Sequence, residues 1–146
     1  MVKIRKAKSE DINFVYSTWL RCYKHDSPIT KYTKRDLFFG EHQKLLDHIL
    51  TKKETTVVVA VDENDEDLIF GFLAYEPKII HFCYVKEPFR KMGIARQLIE
   101  SQELKLSECQ ASHVTYTLLD LWTHQKVDIQ FNPYLLQLEK YEAKSQ

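Results

Sequence analysis

Glycine is the residue this chain most lacks. Three occur, Gly40, Gly71 and Gly93, where average usage of about 7% would give roughly ten in a domain of this size. Blade repeats, glycine-rich linkers and collagen-like fibres are thereby excluded, and each remaining glycine marks a place where the backbone needs something special. Cysteine is sparse too. Cys22, Cys83 and Cys109 are too few and too scattered for a disulfide framework, and no C-x-x-C occurs, which suits a reduced, intracellular setting. Neither charge is in excess. The 21 Lys and Arg balance 21 Asp and Glu, which argues against a dedicated binder of nucleic acid or of an anionic membrane. No apolar run approaches the roughly 20 residues that span a bilayer. Residues 1–6 lack the apolar stretch of a secretory leader. The expectation is a soluble, cytoplasmic protein.

What is present suffices for one folded domain, residues 1–146, with 44% hydrophobic and 12% aromatic residues and no internal repeat. Residues 2–7 alternate apolar and basic side chains and read as a strand. Ser9 offers an N-cap, followed by Glu10 and Asp11 at the positive end of a helix dipole. Ile12, Val15, Tyr16, Trp19 and Tyr23 then recur at helical spacing. After the break around Asp26-Ser27-Pro28, a second helix is expected over residues 34–50, burying Phe38, Leu45, Leu46 and Ile49. Residues 55–61 are mostly β-branched and predict a strand buried on both faces. Residues 62–67 are strongly acidic, but Asp67 stands where a calcium loop needs glycine and Leu73 where it needs glutamate, so they read as a solvated turn. Strands are expected over residues 68–75, with Gly71 where another backbone or a bulge comes close, and over residues 79–85.

The pattern then changes to a loop and a helix running to Glu108, with Ala95, Leu98, Ile99, Gln102 and Leu106 on its buried side. A strand over residues 113–119 would complete a β-α-β unit. Val127, Ile129 and Phe131 alternate like a further short strand, and Asn132-Pro133 is a turn. The order β-α-α-β-β-β-α-β defines a mixed α/β (α+β) fold with a short, variant tail. A doubly wound nucleotide fold is excluded, because strand and helix would have to alternate throughout.

The chemistry concentrates where the strand ending at Val85 gives way to the helix starting at Gly93. The first turn of a helix carries unpaired N–H groups and a partial positive charge, and together with glycine this makes an anion site. Arg90, Lys91 and Arg96 add positive charge around it. Arg90-x-x-Gly93-x-Ala95 matches [Arg/Gln]-x-x-Gly-x-[Gly/Ala]. Gly71-Phe72 in a strand, the strand ending at Val85, Pro88 after it and Leu98-Ile99 in the helix fall in order around the motif. This layout resembles the GNAT superfamily of acyl-CoA-dependent N-acetyltransferases, over about residues 3–119 and most specifically over residues 68–99.

The resemblance implies a site and a reaction. The pyrophosphate of acetyl-CoA would bind the backbone of Lys91, Met92, Gly93, Ile94, Ala95 and Arg96, with Arg90 beside it. The pantetheine arm would run along the backbone of Cys83, Tyr84 and Val85, on a strand that splays from the next one. One N–H there would hold the oxyanion, and the strand over residues 113–119 would form the other wall. The acceptor amine must lose a proton to become a nucleophile. His81 is the candidate base, with Glu76 second; a histidine bonded to a neighbour on a sheet face is the alternative reading. For the acid, the family often uses a tyrosine in an Asn-x-x-Ala-x-x-x-Tyr setting. This chain departs from it, because Pro133 forbids a helix interior, and leaves Tyr134 and Tyr116 as options. Cys83 is read as filling space, because GNAT transfer is direct.

Trp19, Tyr23, Tyr32, Phe38 and Phe39 lie where the family lines the acceptor side, as pocket or as core. The remaining histidines, among them His42, His48, His113 and His124, share no metal-ligand spacing, so no metal is expected. The leading expectation is thus direct acetyl transfer from acetyl-CoA to an amine on a small molecule or protein. The rival is a catalytically degenerate GNAT-fold module that binds CoA or a macromolecule. It is motivated by a tail in which the last two strands that usually close the sheet are not both legible, a compact end resembling small GNAT-like proteins of phage genomes. An unrelated α/β module would remain if the glycine motif were accidental. An incomplete sheet edge would leave room for a second copy, so a homodimer is a further expectation.

Overall fold

The β-branched run in the middle of the chain forms an interior strand of one sheet, and the larger helices lie on the sheet's two faces. The computed structural model describes residues 1–120 and 129–137. Strand β1 (Val2–Lys6) is followed by helices α1 (Ile12–Asp26) and α2 (Arg35–Thr51), then by strands β2 (Thr56–Asp62), β3 (Ile69–Glu76) and β4 (Ile79–Val85). Helix α3 (Ile94–Ser101), strand β5 (Gln110–Ala111), helix α4 (Tyr116–Asp120) and strand β6 (Gln130–Phe131) complete the order. The six strands form one sheet in chain order. The first three pairings are antiparallel and the last two parallel, so α3 is the crossover of a β-α-β unit.

Helices α1 and α2 cover one face. Val15, Trp19 and Tyr23, at helical spacing on α1, pack with Leu46 and Ile49 of α2 against Phe72 and Phe82 of the sheet. Helix α3 covers the other face, where Ile94 and Leu98, one turn apart, meet Leu73, Ile80 and Ala111. Gly71 has the close neighbour expected of it. A Cβ there would fall well inside contact distance of the Tyr84 carbonyl oxygen and 3.1 Å from Val85 Cα.

Four expectations need correction. The strand over residues 113–119 does not form. β5 ends at Ala111, and the Thr115 hydroxyl accepts from the Leu118 N–H at 3.0 Å, a side-chain cap that starts α4 and outweighs the β-propensity of Val114 and its neighbours. Helix α3 stops at Ser101 rather than Glu108. Leu104 N–H donates to Ile99 O and Glu103 N–H to Glu100 O, with Glu103 left-handed at φ 57°. That closure usually uses glycine, which is why it went unread. Ala95 is exposed, and Ile94 takes the inward position. Finally, Ser9 begins a short 3-10 turn instead of capping α1. The Asp11 carboxylate there accepts from Lys8 N–H and Arg5 Nη1, each at 2.7 Å. Val127 lies outside the described residues.

Candidate active site

β4 and β5 pair only at Ile79 with Gln110 and Ile80 with Ala111. The register of β3 against β4 sets Ala74 opposite Phe82 and Tyr75 opposite Ile80. His81 is therefore an extra residue, a β-bulge, and bulges bend a strand and end its pairing. Past it, β4 runs on to Val85 beside β3 alone, which opens a wedge between β4 and the segment leaving β5. Lys86 N–H donates to Phe70 O at 2.8 Å. Because backbone groups alternate along an antiparallel strand, those of Cys83 and Val85 turn away from β3 into the wedge, while those of Tyr84 turn toward β3. The Val85 carbonyl accepts from Arg90 Nε at 2.8 Å.

The wedge leads to the start of α3. Lys91 and Gly93 both have positive φ, 66° and 78°, the left-handed backbone from which anion-binding loops are built. Gln97 N–H donates to Gly93 O at 3.0 Å, the first intrahelical bond. The N–H groups of Ile94, Ala95 and Arg96 thus belong to the first turn, which has no intrahelical acceptor. A Cβ on Gly93 would touch nothing within 4 Å, so the left-handed backbone, not crowding, is what asks for glycine. Arg90, Lys91, Met92 and Arg96 are exposed around this loop. The chemistry of this donor set fits a pyrophosphate, and the open edge at Cys83 and Val85 fits an amide-bearing arm.

On the α1/α2 side of the wedge, His81 joins a chain of polar groups. Lys52 Nζ lies 2.9 Å from Glu76 Oε1. Glu76 Oε2 lies 2.5 Å from His81 Nε2, and His81 Nδ1 lies 2.6 Å from Ser112 Oγ. Ser112 Oγ is 2.8 Å from His113 Nδ1, and His113 Nε2 is 3.0 Å from His42 Nε2. Trp19 packs on His113 with ring centres 5.1 Å apart, and His42 stacks between Tyr23 and Phe38 at 5.0 Å from each. Burial pushes His42 down to about 4. His113 is held well below the ordinary histidine value by burial and by its two histidine neighbours, so both rings are neutral at pH 7.

Two of the expected catalytic groups, His81 and Glu76, are thus brought together, but both are buried and bonded to each other. Tyr116 and Tyr134 are not part of the cluster. Tyr116 opens α4 and is 41% exposed; Tyr134 is 62% exposed, in a turn closed by its N–H donating to Asn132 Oδ1 at 3.0 Å. The Cys83 thiol is pushed up to about 12 by desolvation, which suits a space-filling role. Trp19, Tyr23 and Phe38 are core residues, Phe39 is half-buried and Tyr32 is exposed. Sequence reading missed Ser112, His113, His42 and Lys52 as partners. The one available signal was an His81 and a Ser112-His113 pair bracketing a β-α-β unit. Among the described residues no group of His, Cys, Asp and Glu is arranged to hold a metal ion, and no helix is long and apolar enough to cross a membrane.

No protein-family model and no curated protein matches this sequence. Solved structures do match. The PaiA N-acetyltransferase from Thermoplasma acidophilum, in complex with coenzyme A, is 17% identical over 70% of each chain, with a TM-score of 0.51. NAA60 from Arabidopsis thaliana, in complex with a bisubstrate analogue, is 14% identical over 70% of this chain and 66% of that one, at a TM-score of 0.50. Apo YjaB from Escherichia coli is 21% identical at a TM-score of 0.49, and the match spans only 63% of its length. At these identities the likeness is one of fold. The protein has the GNAT fold, a mixed α+β architecture whose splayed fourth and fifth strands and glycine-started helix are the features described above.

Proposed function

We propose that the protein is an N-acetyltransferase that moves an acetyl group from acetyl-CoA directly to an amine. The observation that carries this reading is the continuity of two features, the wedge opened by the His81 bulge and the left-handed loop at Lys91 and Gly93. In this reading the N–H groups of Cys83 and Val85 receive the pantetheine arm. The backbone of residues 91–96, with the side chains of Arg90, Lys91 and Arg96, receives the pyrophosphate. Acetyl-CoA supplies the activated acyl group, and the chain orients it and manages protons. Tyr134 and Tyr116, exposed hydroxyls on the segments after and before β6, are the candidates for protonating the departing thiolate. Sparse, unpatterned cysteine favours a reduced, cytoplasmic setting.

The test is release of free CoA thiol from acetyl-CoA on addition of a panel of amines: a small alkyl amine, a peptide N-terminus, a lysine side chain, an amino sugar and a nucleobase. Thiol released in step with an acetylated product of the added mass supports the reading. Binding of acetyl-CoA without release from any of them would favour the CoA-binding module instead.

A further inference from the structure

We propose that Glu76, His81, Ser112, His113 and His42 form a proton relay whose open end is Nδ1 of His42, and that the acceptor amine binds at that end. The inference rests on the acetyl-transfer reading above for its purpose, but its direction follows from hydrogen-bonding chemistry alone. Lys52 Nζ occupies one oxygen of Glu76 at 2.9 Å, so the other oxygen of this ammonium-held carboxylate accepts from His81. His81 must therefore carry its proton on Nε2, which leaves Nδ1 as a lone pair. That lone pair requires the Ser112 hydroxyl to donate to it, so Ser112 Oγ accepts from Nδ1–H of His113. His113 Nε2 is then a lone pair and takes the Nε2–H of His42. One carboxylate on β3 thereby dictates the tautomer of a histidine on α2 that it does not touch.

The bonds form one continuous path. Five of the six ring nitrogens of its three histidines are engaged, and Nδ1 of His42 has no hydrogen bond among the described residues. His81 and His113 are 2% and 4% exposed, while His42 is only half-buried. Trp19, Tyr23, Phe38 and Phe82 wall the rings, a low-dielectric surround that strengthens such bonds. Because burial disfavours a cationic ring at His42 and His113, a proton taken up at one end does not rest there.

The step balances as follows. The neutral amine nitrogen forms a bond to the acyl carbon, the C–S bond breaks, and the electron pair leaves on the CoA sulfur. The proton shed by the amine goes to His42 Nδ1. The Nε2 proton of His42 passes to His113 Nε2, that of His113 Nδ1 to Ser112, that of Ser112 to His81 Nδ1, and that of His81 Nε2 to Glu76. The departing thiolate takes its proton from one of the tyrosines named above, which is replenished from solvent, and the chain resets by releasing its own proton back through His42 to water. His42 is the catalytic residue here; the others act through it.

Nitrogen-15 spectra of the histidine rings test this with or without an identified acceptor. The wild-type protein should show His81 and His42 protonated on Nε2 and His113 on Nδ1. In Glu76→Gln, the amide NH2 offered to His81 Nε2 should reverse every bond, moving the His42 proton to Nδ1. In Ser112→Ala the rings should lose their fixed tautomers, and Ser112→Thr, which keeps the hydroxyl, should restore them. An unchanged His42 tautomer in Glu76→Gln, or in Ser112→Ala if the first variant does not fold, overturns the relay, because the bonds would then not be coupled from Glu76 to His42. With an amine that wild type acetylates, Ser112→Ala should lower kcat at least about tenfold with KM for acetyl-CoA unchanged; a wild-type kcat also overturns the proposal. Failure of wild type to bind acetyl-CoA would count against the transfer reading alone, since the tautomer pattern is read without it.

Discussion

Acid should loosen this protein through His42, and by an amount the structure sets. The ring is neutral in the folded state, held down to about 4 by burial against Tyr23 and Phe38. In the unfolded chain it returns to the ordinary value near 6.5. Between those values the unfolded chain binds more protons, so stability rises with pH across the window. The contribution is complete above about pH 6.5 and is lost as pH falls through about 4. At about 1.4 kcal/mol per unit, the full contribution is about 3 kcal/mol. The part lost between pH 7 and pH 5 is about 2 kcal/mol, or roughly 4–8 °C in melting temperature for a domain of this size. His42→Gln removes the titration while keeping an N–H for His113. Melting curves of both proteins at pH 7 and pH 5 read the difference directly. The variant should lose about 2 kcal/mol less than wild type over that interval. Parallel pH dependences would refute the reasoning, because they would mean that His42 titrates as freely folded as unfolded.

Three further substitutions probe the frame around the site. Gly71→Ala should destabilise by about 1–3 kcal/mol in urea denaturation, since its Cβ meets the Tyr84 carbonyl; a neutral outcome would show that β3 and β4 can separate there freely. Leu98→Ala, at a fully buried position of α3, should cost about 2–5 kcal/mol, and a loss below 1 kcal/mol would mean that α3 does not seal its face of the sheet. Gly93→Ala should cost about 1 kcal/mol through its positive φ, and Gly93→Asn less, because asparagine tolerates the left-handed region. Equal losses for the two would argue against that backbone conformation.

Local signals in the sequence reached most of the fold and one half of the site. The β-branched run of β2, the helical stripe of α1 and the glycine at the start of α3 each act over a few residues, and each is present in the structure. The end of α3 was illegible because Glu103 takes a left-handed position that glycine usually announces. β5 was illegible because it is two residues long and is followed by a threonine acting as a cap. The histidine chain was illegible for a different reason. Its bonds join residues 71 and 31 positions apart, and only the sheet order brings α2, β4 and the segment after β5 to one place. His81 could be singled out by residue type and position, but nothing in its neighbourhood in sequence reveals that Ser112 and His113 complete it.

The central claim is that the wedge and the Gly93 loop together receive acetyl-CoA. Its most direct test is the melting temperature of the protein and of Gly93→Glu, each compared with its own ligand-free value, in saturating acetyl-CoA. Ligand at about 100 times its dissociation constant stabilises the native state by about 2.7 kcal/mol, so wild type should melt several degrees higher, while the carboxylate in the variant occupies the phosphate position and abolishes the shift. An unmoved wild-type melting temperature, or an equal rise in Gly93→Glu, would contradict the account.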